Sequence, residues 1–318
     1  MGAMQFAFIK CHGSGNDFPL IDARSLVLSD DDWAGVARAL ADREGPVGGD
    51  GLLLLTAGDA DHAFGMRMFN SDGSEAETCL NGLRCVARLG FELLGIDAAR
   101  VRLKASSADV AREAELAPGV VTVRTRALAA LSTGAVGLKI DEAELIDAVA
   151  PGLPSDRKFT AVAIPNPHLV TFADRVDEDE LVALGTWCEA GPALIPGRIN
   201  VSFVEVRGSD LYVRTFERGV GLTDSCGSAM ASSVFAAATT GRVAFGAGTT
   251  VFNKGGMVRG TAGADGIVTI SGNATFLYDA SIEVDSASGT ARPPLVHARR
   301  EDEAAAWAGV LAGISQAA

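Results

Sequence analysis

The sequence predicts an α+β fold built from two similar halves. Three observations carry that reading. Short strand-like segments outnumber helix-like ones, and their order over the first half recurs over the second. A phenylalanine precedes a cysteine by ten residues in each half, Phe69 before Cys79 and Phe216 before Cys226, and both pairs are offset by 147 residues. In that register FNSDGSEAETCLNG lies over FERGVGLTDSCGSA: a phenylalanine, a polar side chain, a glycine-containing loop, a hydroxyl residue, the cysteine and a small-or-polar triplet. Loop chemistry and element order repeating together point to internal duplication.

In order along the chain, QFAFIKCHG and FPLID read as strands and DDDWAGVARALADR as an amphipathic helix. GLLLLT and FGMRMFN are strands, and a helix runs from Leu80 to Leu94 with Gly95 as its C-cap. RVRLKA and VVTVRTR alternate as strands do. In the second half KFTAVAI and HLVTF are strand-like, DEDELVALGTWCEA is helix-like, and RINVSFVEVRGSDLYVRTFER is a hairpin with Gly208-Ser209 at its tip. The run CGSAMASSVFAAATTG is too long for one strand and ends at Gly241. TTVFN, GMVRGTA, GIVTISG and ATFLYDASIEV complete the pattern, which stops at Asp285. The expected division is residues 4–135 carrying Cys79 and 136–284 carrying Cys226, then 285–318 as a linker and an alanine-rich helix.

A chain of 318 residues, 48% hydrophobic, suffices for two ordinary domains. Its net charge of −13 opposes non-specific binding to nucleic acid or an anionic membrane. It has no apolar stretch long enough to span a bilayer and no secretion-signal pattern at its N-terminus. Five scattered cysteines are not a disulfide framework, and a reducing cytoplasm fits them. Cys11, Cys85 and Cys188 read as packing residues. Cys79 and Cys226 do not, since each stands where a polar loop meets the start of an apolar helix.

That position has a chemical meaning. The first N–H groups of a helix lack partners and carry partial positive charge, so a thiol there ionises more readily and a carboxylate can be held beside it. Two such spots would grip an amino acid by its carboxylate with a sulfur on each side of the α-carbon. One thiolate would remove the α-proton while the other thiol returns a proton to the opposite face. Zinc is disfavoured, because no CxxC is present and no histidine accompanies Cys79 and Cys85. The glycines of GPVGGDG follow neither dinucleotide nor P-loop spacing, and no pyridoxal phosphate motif is recognisable.

From about Met4 to Val284, the segments KCHGSGNDF, NSDGSEAETCLNGLRC, IPNPHLV, GRINVSF and FERGVGLTDSCGSAMA resemble, in order, the signatures of the diaminopimelate epimerases. The resemblance implies two pseudosymmetric domains, each a mostly antiparallel sheet wrapped around a central helix. It also implies cofactor-free interconversion of LL- and meso-diaminopimelate, on the route to lysine and peptidoglycan, commonly by a homodimer, with no metal. Position by position, Cys79 and Cys226 match the base and acid thiols, and His168 and Glu217 the groups beside them. Glu217 also matches a carboxylate that meets a substrate ammonium. Asn16 matches a residue near the reacting end, and Asn81, Gly227 and Ser228, with the N–H of Leu80, hold its carboxylate. Asn70, Asn166, Asn200 and Arg218 match groups that hold the distal end.

Three departures stand out. Leu80 and Ala229 replace glycines near the two cysteines, and Lys254-Gly255-Gly256 replaces a Pro-Gly-Gly turn. A leucine where glycine is usual takes up space and forbids a positive φ. Two alternatives therefore stay open: a cofactor-independent racemase or epimerase of another amino acid, and a non-catalytic ligand-binding paralogue.

Overall fold

A computed structural model describes residues 3–77 and 79–317. Along the chain run β1 (Met4–Gly13), β2 (Asn16–Asp22), α1 (Asp30–Ala41), β3 (Gly51–Ala57), β4 (Phe64–Asn70), β5 (Glu75–Ala76), α2 (Leu80–Leu94), β6 (Ala98–Arg102), β7 (Ser107–Glu113) and β8 (Thr122–Leu128). There follow α3 (Thr133–Val136), β9 (Ala148–Val149), β10 (Lys158–Ile164), β11 (Asn166–Phe172), α4 (Glu178–Glu189), β12 (Asn200–Arg207), β13 (Asp210–Glu217), β14 (Gly221–Thr223) and α5 (Gly227–Thr239). Last come β15 (Thr249–Asn253), β16 (Gly256–Ala262), β17 (Ile267–Asn273), β18 (Thr275–Asp285), β19 (Thr290–Ala291), β20 (Leu295–Arg299) and α6 (Glu301–Ala317).

The chain divides into Met1–Thr125 with Ser271–Ala318, and Arg126–Ile270. In the first unit β1 pairs antiparallel with β2, β2 runs parallel to β3, β3 is antiparallel to β4, β4 is parallel to β6, and β6 is antiparallel to β7. In the second unit β10, β11, β12, β13, β15 and β16 follow the same succession of pairings. A helix is inserted at the same two points in each: α1 and α2 in the first, α4 and α5 in the second. Even a polar tie recurs. Arg67 of β4 reaches Asp30 at the start of α1, and Arg214 of β13 reaches Glu178 at the start of α4, each at 2.7 Å.

Alternation along the strands explains the layers. In β3, Leu53 and Leu55 pack into the core that contains the α2 side chains, whereas Leu52 and Leu54 pack into the core beneath α1. A strand buried on both faces reads as a continuous apolar run, which is why GLLLL lacks a polar alternation. The second unit is layered likewise, with Val162 and Ile164 of β10 in the core of α5, and Phe159 and Ala161 in that of α4. Helix α2 is buried from Leu80 to Phe91 and α5 from Gly227 to Ala238, so each is the central helix of its unit. Gly95 closes α2 in the left-handed region at φ 68, its N–H bonding Phe91 O.

The boundaries differ from 135 and 284. Strand β18 pairs with β1 over nine register positions, from Met4↔Val284 to His12↔Thr275, and so belongs to the first unit. Long-range pairing decides this, and a linear pattern does not carry it. The linker-like segment after Asp285 forms β19 and β20 on β18, and β7 went unread because SADVARE has few apolar residues. The terminal helix is docked. The Trp307 ring lies 5.7 Å from that of His12, and Glu303 accepts a forked pair of bonds from Arg88 of α2 as well as the Phe276 N–H. Among the described residues no helix is long and apolar enough to cross a membrane.

Candidate active site

Each cysteine occupies the N-cap of its unit's central helix, in extended backbone. The Cys79 sulfur accepts the Gly82 N–H at 3.3 Å, as an N-cap acceptor does. Cys226 behaves differently. Its thiol is buried and sits 3.5 Å from the Ser228 hydroxyl. Burial, and then the neighbouring Glu217 carboxylate, push its pKa well above the usual thiol value. The expectation that a helix start acidifies both thiols is therefore corrected for Cys226, where desolvation outweighs the helix field.

Around Cys79 the polar groups form a chain. Arg84, one turn into α2, donates Nη2 to Asn81 Oδ1 at 2.9 Å. A guanidinium can only donate, so Asn81 must turn its Nδ2 away, and that group donates to Asn16 Oδ1. Asn16 Nδ2 in turn donates to Asp50 at 3.1 Å. Asn16 is thus the first residue of β2, opposite Gly13, and more than a turn former. Leu80 is the first helical residue, so the positive φ that glycine permits is not required there. Its side chain joins the core of the first unit, leaving its N–H at the helix start. Asn70, opposite Gly51 on β3, bonds its Nδ2 to Ser74 Oγ at 2.9 Å in the turn after β4.

In the second unit the Ser228 hydroxyl is the hub. It takes a bond from Asn166 Nδ2 at 3.0 Å, lies 3.1 Å from His168 Nε2, and touches the Cys226 sulfur. Asn166 begins β11 opposite Ile164, so Asn166-Pro167 opens a strand as well as a turn. His168 and Asn200 are register partners on parallel strands. The Arg218 N–H fixes Asn200 Oδ1 at 2.9 Å, which points Asn200 Nδ2 at His168 Nε2, 3.3 Å away. Nε2 is therefore the acceptor, and the ring proton is on Nδ1, a buried atom with no hydrogen-bond partner among the described residues. Burial, with the Arg218 charge, lowers His168 to about 3, so it works as a neutral ring. Glu217 is no solvated strand-end residue: it accepts Thr223 Oγ1 at 2.6 Å and faces the Cys226 thiol. Gly227 and Ser228 form the first turn of α5, and Ala229 is buried behind them.

Sequence reasoning passed over Arg84, Asp50, Ser14 and Asn273. Only Arg84 left a trace, as a charge inside the otherwise apolar stretch after Cys79. Asn273 binds the tip of the β1–β2 hairpin from 259 residues away, its Oδ1 accepting the Ser14 N–H at 2.7 Å.

The sequence profile of the diaminopimelate epimerase family matches residues 8–124 and 160–277, segments that include every candidate site residue. The chain belongs to the diaminopimelate epimerase family. Curated diaminopimelate epimerases from Clostridium acetobutylicum and Listeria innocua are 37% and 36% identical to it over 290 and 298 residues, spanning 89% of this chain and 87% and 90% of those proteins. Solved structures share the fold at lower identity. A phenazine biosynthesis protein of the PhzF family from Bacillus anthracis superposes with a TM-score of 0.63 at 12% identity, covering 89% of this chain and 99% of that one. A hydroxyproline epimerase from Agrobacterium vitis, with bound trans-4-hydroxy-L-proline, gives 0.61 at 13%, covering 90% and 93%. Within this diaminopimelate epimerase family chain, β19, β20 and α6 lie beyond the matched segments.

The two buried histidines predict an acid-sensitive fold. Burial lowers His12 to about 4 and His168 to about 3, both below the unfolded value near 6.5. The unfolded chain therefore binds more protons, and the stability these rings confer is complete above about pH 6.5 and lost as pH falls toward 4 and 3. Each ring is expected to cost roughly 2 kcal/mol by pH 5. Urea midpoints at pH 7 and pH 5 check this, and a His168→Gln, His12→Asn chain that keeps the same pH dependence would refute it.

Proposed function

We propose that this chain interconverts LL- and meso-diaminopimelate without a cofactor, as a cytoplasmic homodimer, by passing the α-proton between two sulfurs. The observation that carries this reading is the cysteine at the N-cap of the central helix in each unit. Both helix starts offer backbone N–H groups to the reacting carboxylate, whose charge grows as the α-proton leaves.

The two thiols enter in different states. Cys226 is held protonated by burial and by Glu217, and serves as the acid for the isomer whose α-proton faces Cys79. Cys79, whose sulfur accepts a backbone N–H, serves as the base. Its thiolate takes the α-proton, the electron pair stays on the α-carbon, and Cys226 S–H returns a proton to the other face. One turnover leaves Cys79 as thiol and Cys226 as thiolate, which are the states the reverse reaction needs. Neutral His168 orients Ser228 and Asn200 and does not itself exchange protons.

The distal end of the substrate is read by hydrogen bonding. Asn166 Oδ1 is buried with no partner among the described residues, an acceptor suited to an ammonium. Arg218 supplies the cation for the distal carboxylate, Glu217 meets an ammonium, and Asn70 and Asn200 complete the set. Leu80 packs into its own core, which removes the main reason for supposing a different amino acid.

Incubation with LL-diaminopimelate in heavy water is expected to yield meso product carrying deuterium at the inverted α-carbon, followed by NMR. No inversion and no deuterium uptake would end the proposal. Sedimentation at twice the mass of one chain checks the homodimer.

A further inference from the structure

We propose that Arg84 is the resident counter-charge of the Cys79 thiolate and the positioning residue that sets Asn81 and Asn16. The proposal deepens the two-thiol reading and rests on it for its catalytic meaning.

Among the described residues three arginines are buried: Arg84, Arg88 and Arg214. Arg88 is paired with Glu92 and Glu303, and Arg214 with Glu178 and Asp224. Arg84 is wholly enclosed, yet among the described residues it has no carboxylate at ion-pair distance. Its hydrogen-bond partners among the described residues are neutral: Nε donates to Asn273 O at 3.0 Å, and Nη2 donates to Ser14 Oγ and Asn81 Oδ1, both at 2.9 Å. Nη1 is buried without a partner among the described residues. A cation enclosed without an anion is expensive, and stability alone gives no reason to keep one.

The site is shaped for this group. A Cβ at Gly272 would stand 2.7 Å from the guanidinium carbon, and one at Gly13 would stand 2.5 Å from Asn81 O. Between Gly13 and Asn16 the hairpin turns through Ser14 and Gly15, both at positive φ, 51 and 92. Serine adopts that region at a cost, and here Arg84 and Asn273 hold it there. The same fork then fixes Asn81, and through it Asn16.

Other charges nearby are already matched. On β1, Lys10 pairs with Asp17 of β2, and His12 is neutral at about 4. Glu303 of α6 is held by Arg88, and Glu75 of β5, before the helix, by Arg67. Glu77, in the loop before α2, is exposed. Cys11 is pushed well above the usual thiol range, by burial and then by its hydrogen bond with Cys85. Burial lowers Arg84 to about 10, which leaves it charged at neutral pH, and the charges of Cys85 and Cys79 act to raise it. Such coupling is reciprocal, so the guanidinium stabilises the Cys79 thiolate in return. Of those two sulfurs Cys85 is sealed in the core, while Cys79 is half-buried.

The test uses the full chain and iodoacetamide, with no substrate. The alkylation rate of Cys79 is followed from pH 5.5 to 10, resolved by site with peptide mass spectrometry. In wild type the inflection is expected clearly below the ordinary thiol value of about 8.5. Arg84→Met is expected to raise it by about one unit, lowering the rate at pH 7 about tenfold with an unchanged plateau at high pH. Arg84→Lys keeps the charge and is expected to hold the inflection near wild type. Equal inflections in wild type and Arg84→Met would overturn the proposal, as would a uniform fall in rate at all pH values. If Arg84→Met does not fold, a wild-type inflection at or above 8.5 overturns it without any variant. Because no diaminopimelate is present, a failed epimerase assay leaves this outcome unaffected, and the two failures are distinguishable.

Discussion

Cys226→Ala is expected to lower conversion of LL- to meso-diaminopimelate by about 10³-fold, the scale of losing a positioned general acid. The thiol at 226 is held protonated by burial and Glu217, and alanine has no proton to return to the α-carbon. Cys79 still carries its N-cap bond and can still remove the α-proton of the isomer that presents it. Deuterium entry without inversion should therefore fall much less than inversion does. Stereochemistry and deuterium content, read by NMR on the same samples, separate the two rates. If both fall equally, Cys226 does more than supply the second proton, and if neither falls the two-thiol mechanism is wrong.

Removal of residues 301–318 is expected to cost about 5 kcal/mol, and to lower the melting temperature by roughly 10–20 °C if the first unit melts as one body. Two contacts account for most of it. Trp307 is buried against His12, and loss of a buried tryptophan side chain costs about 3–5 kcal/mol. Arg88 is buried on α2, and without Glu303 it retains only the half-exposed Glu92 as a carboxylate partner. Breaking a buried pair from one side costs about 3–5 kcal/mol. The two losses are close in space and do not simply add. Glu303→Gln and Trp307→Ala measured singly should each show a large part of the effect. A truncated chain that melts within two or three degrees of the full one, an interval well under the expected shift, would refute a stabilising role for the extension.

How much of this was legible beforehand differs from element to element. Helix α2 could be read to the residue, Leu80 to Leu94, because a polar loop, an apolar run and a left-handed glycine are all local signals. The duplication was legible too, since a loop that must present a cysteine at a helix start keeps its composition in both copies. The tail was not. DSASGTARPPLVHARR has linker composition, and it forms strands only because β18 offers an edge. Nor was the difference between the two thiols legible, because it comes from what covers Cys226, and burial is a property of the whole fold.

By itself the sequence determined most of the elements up to Asp285, the repeat, the family resemblance and the pair of cysteines at helix starts, all written in residues near one another along the chain. Tertiary structure alone decided that β18 completes the first unit and that Ser228 gathers Asn166, His168 and Cys226. It alone set the enclosed charge of Arg84 beneath Asn81. Those outcomes depend on exclusion of water and on partners far apart in sequence, and free energies of that kind appear only once the chain has closed around them.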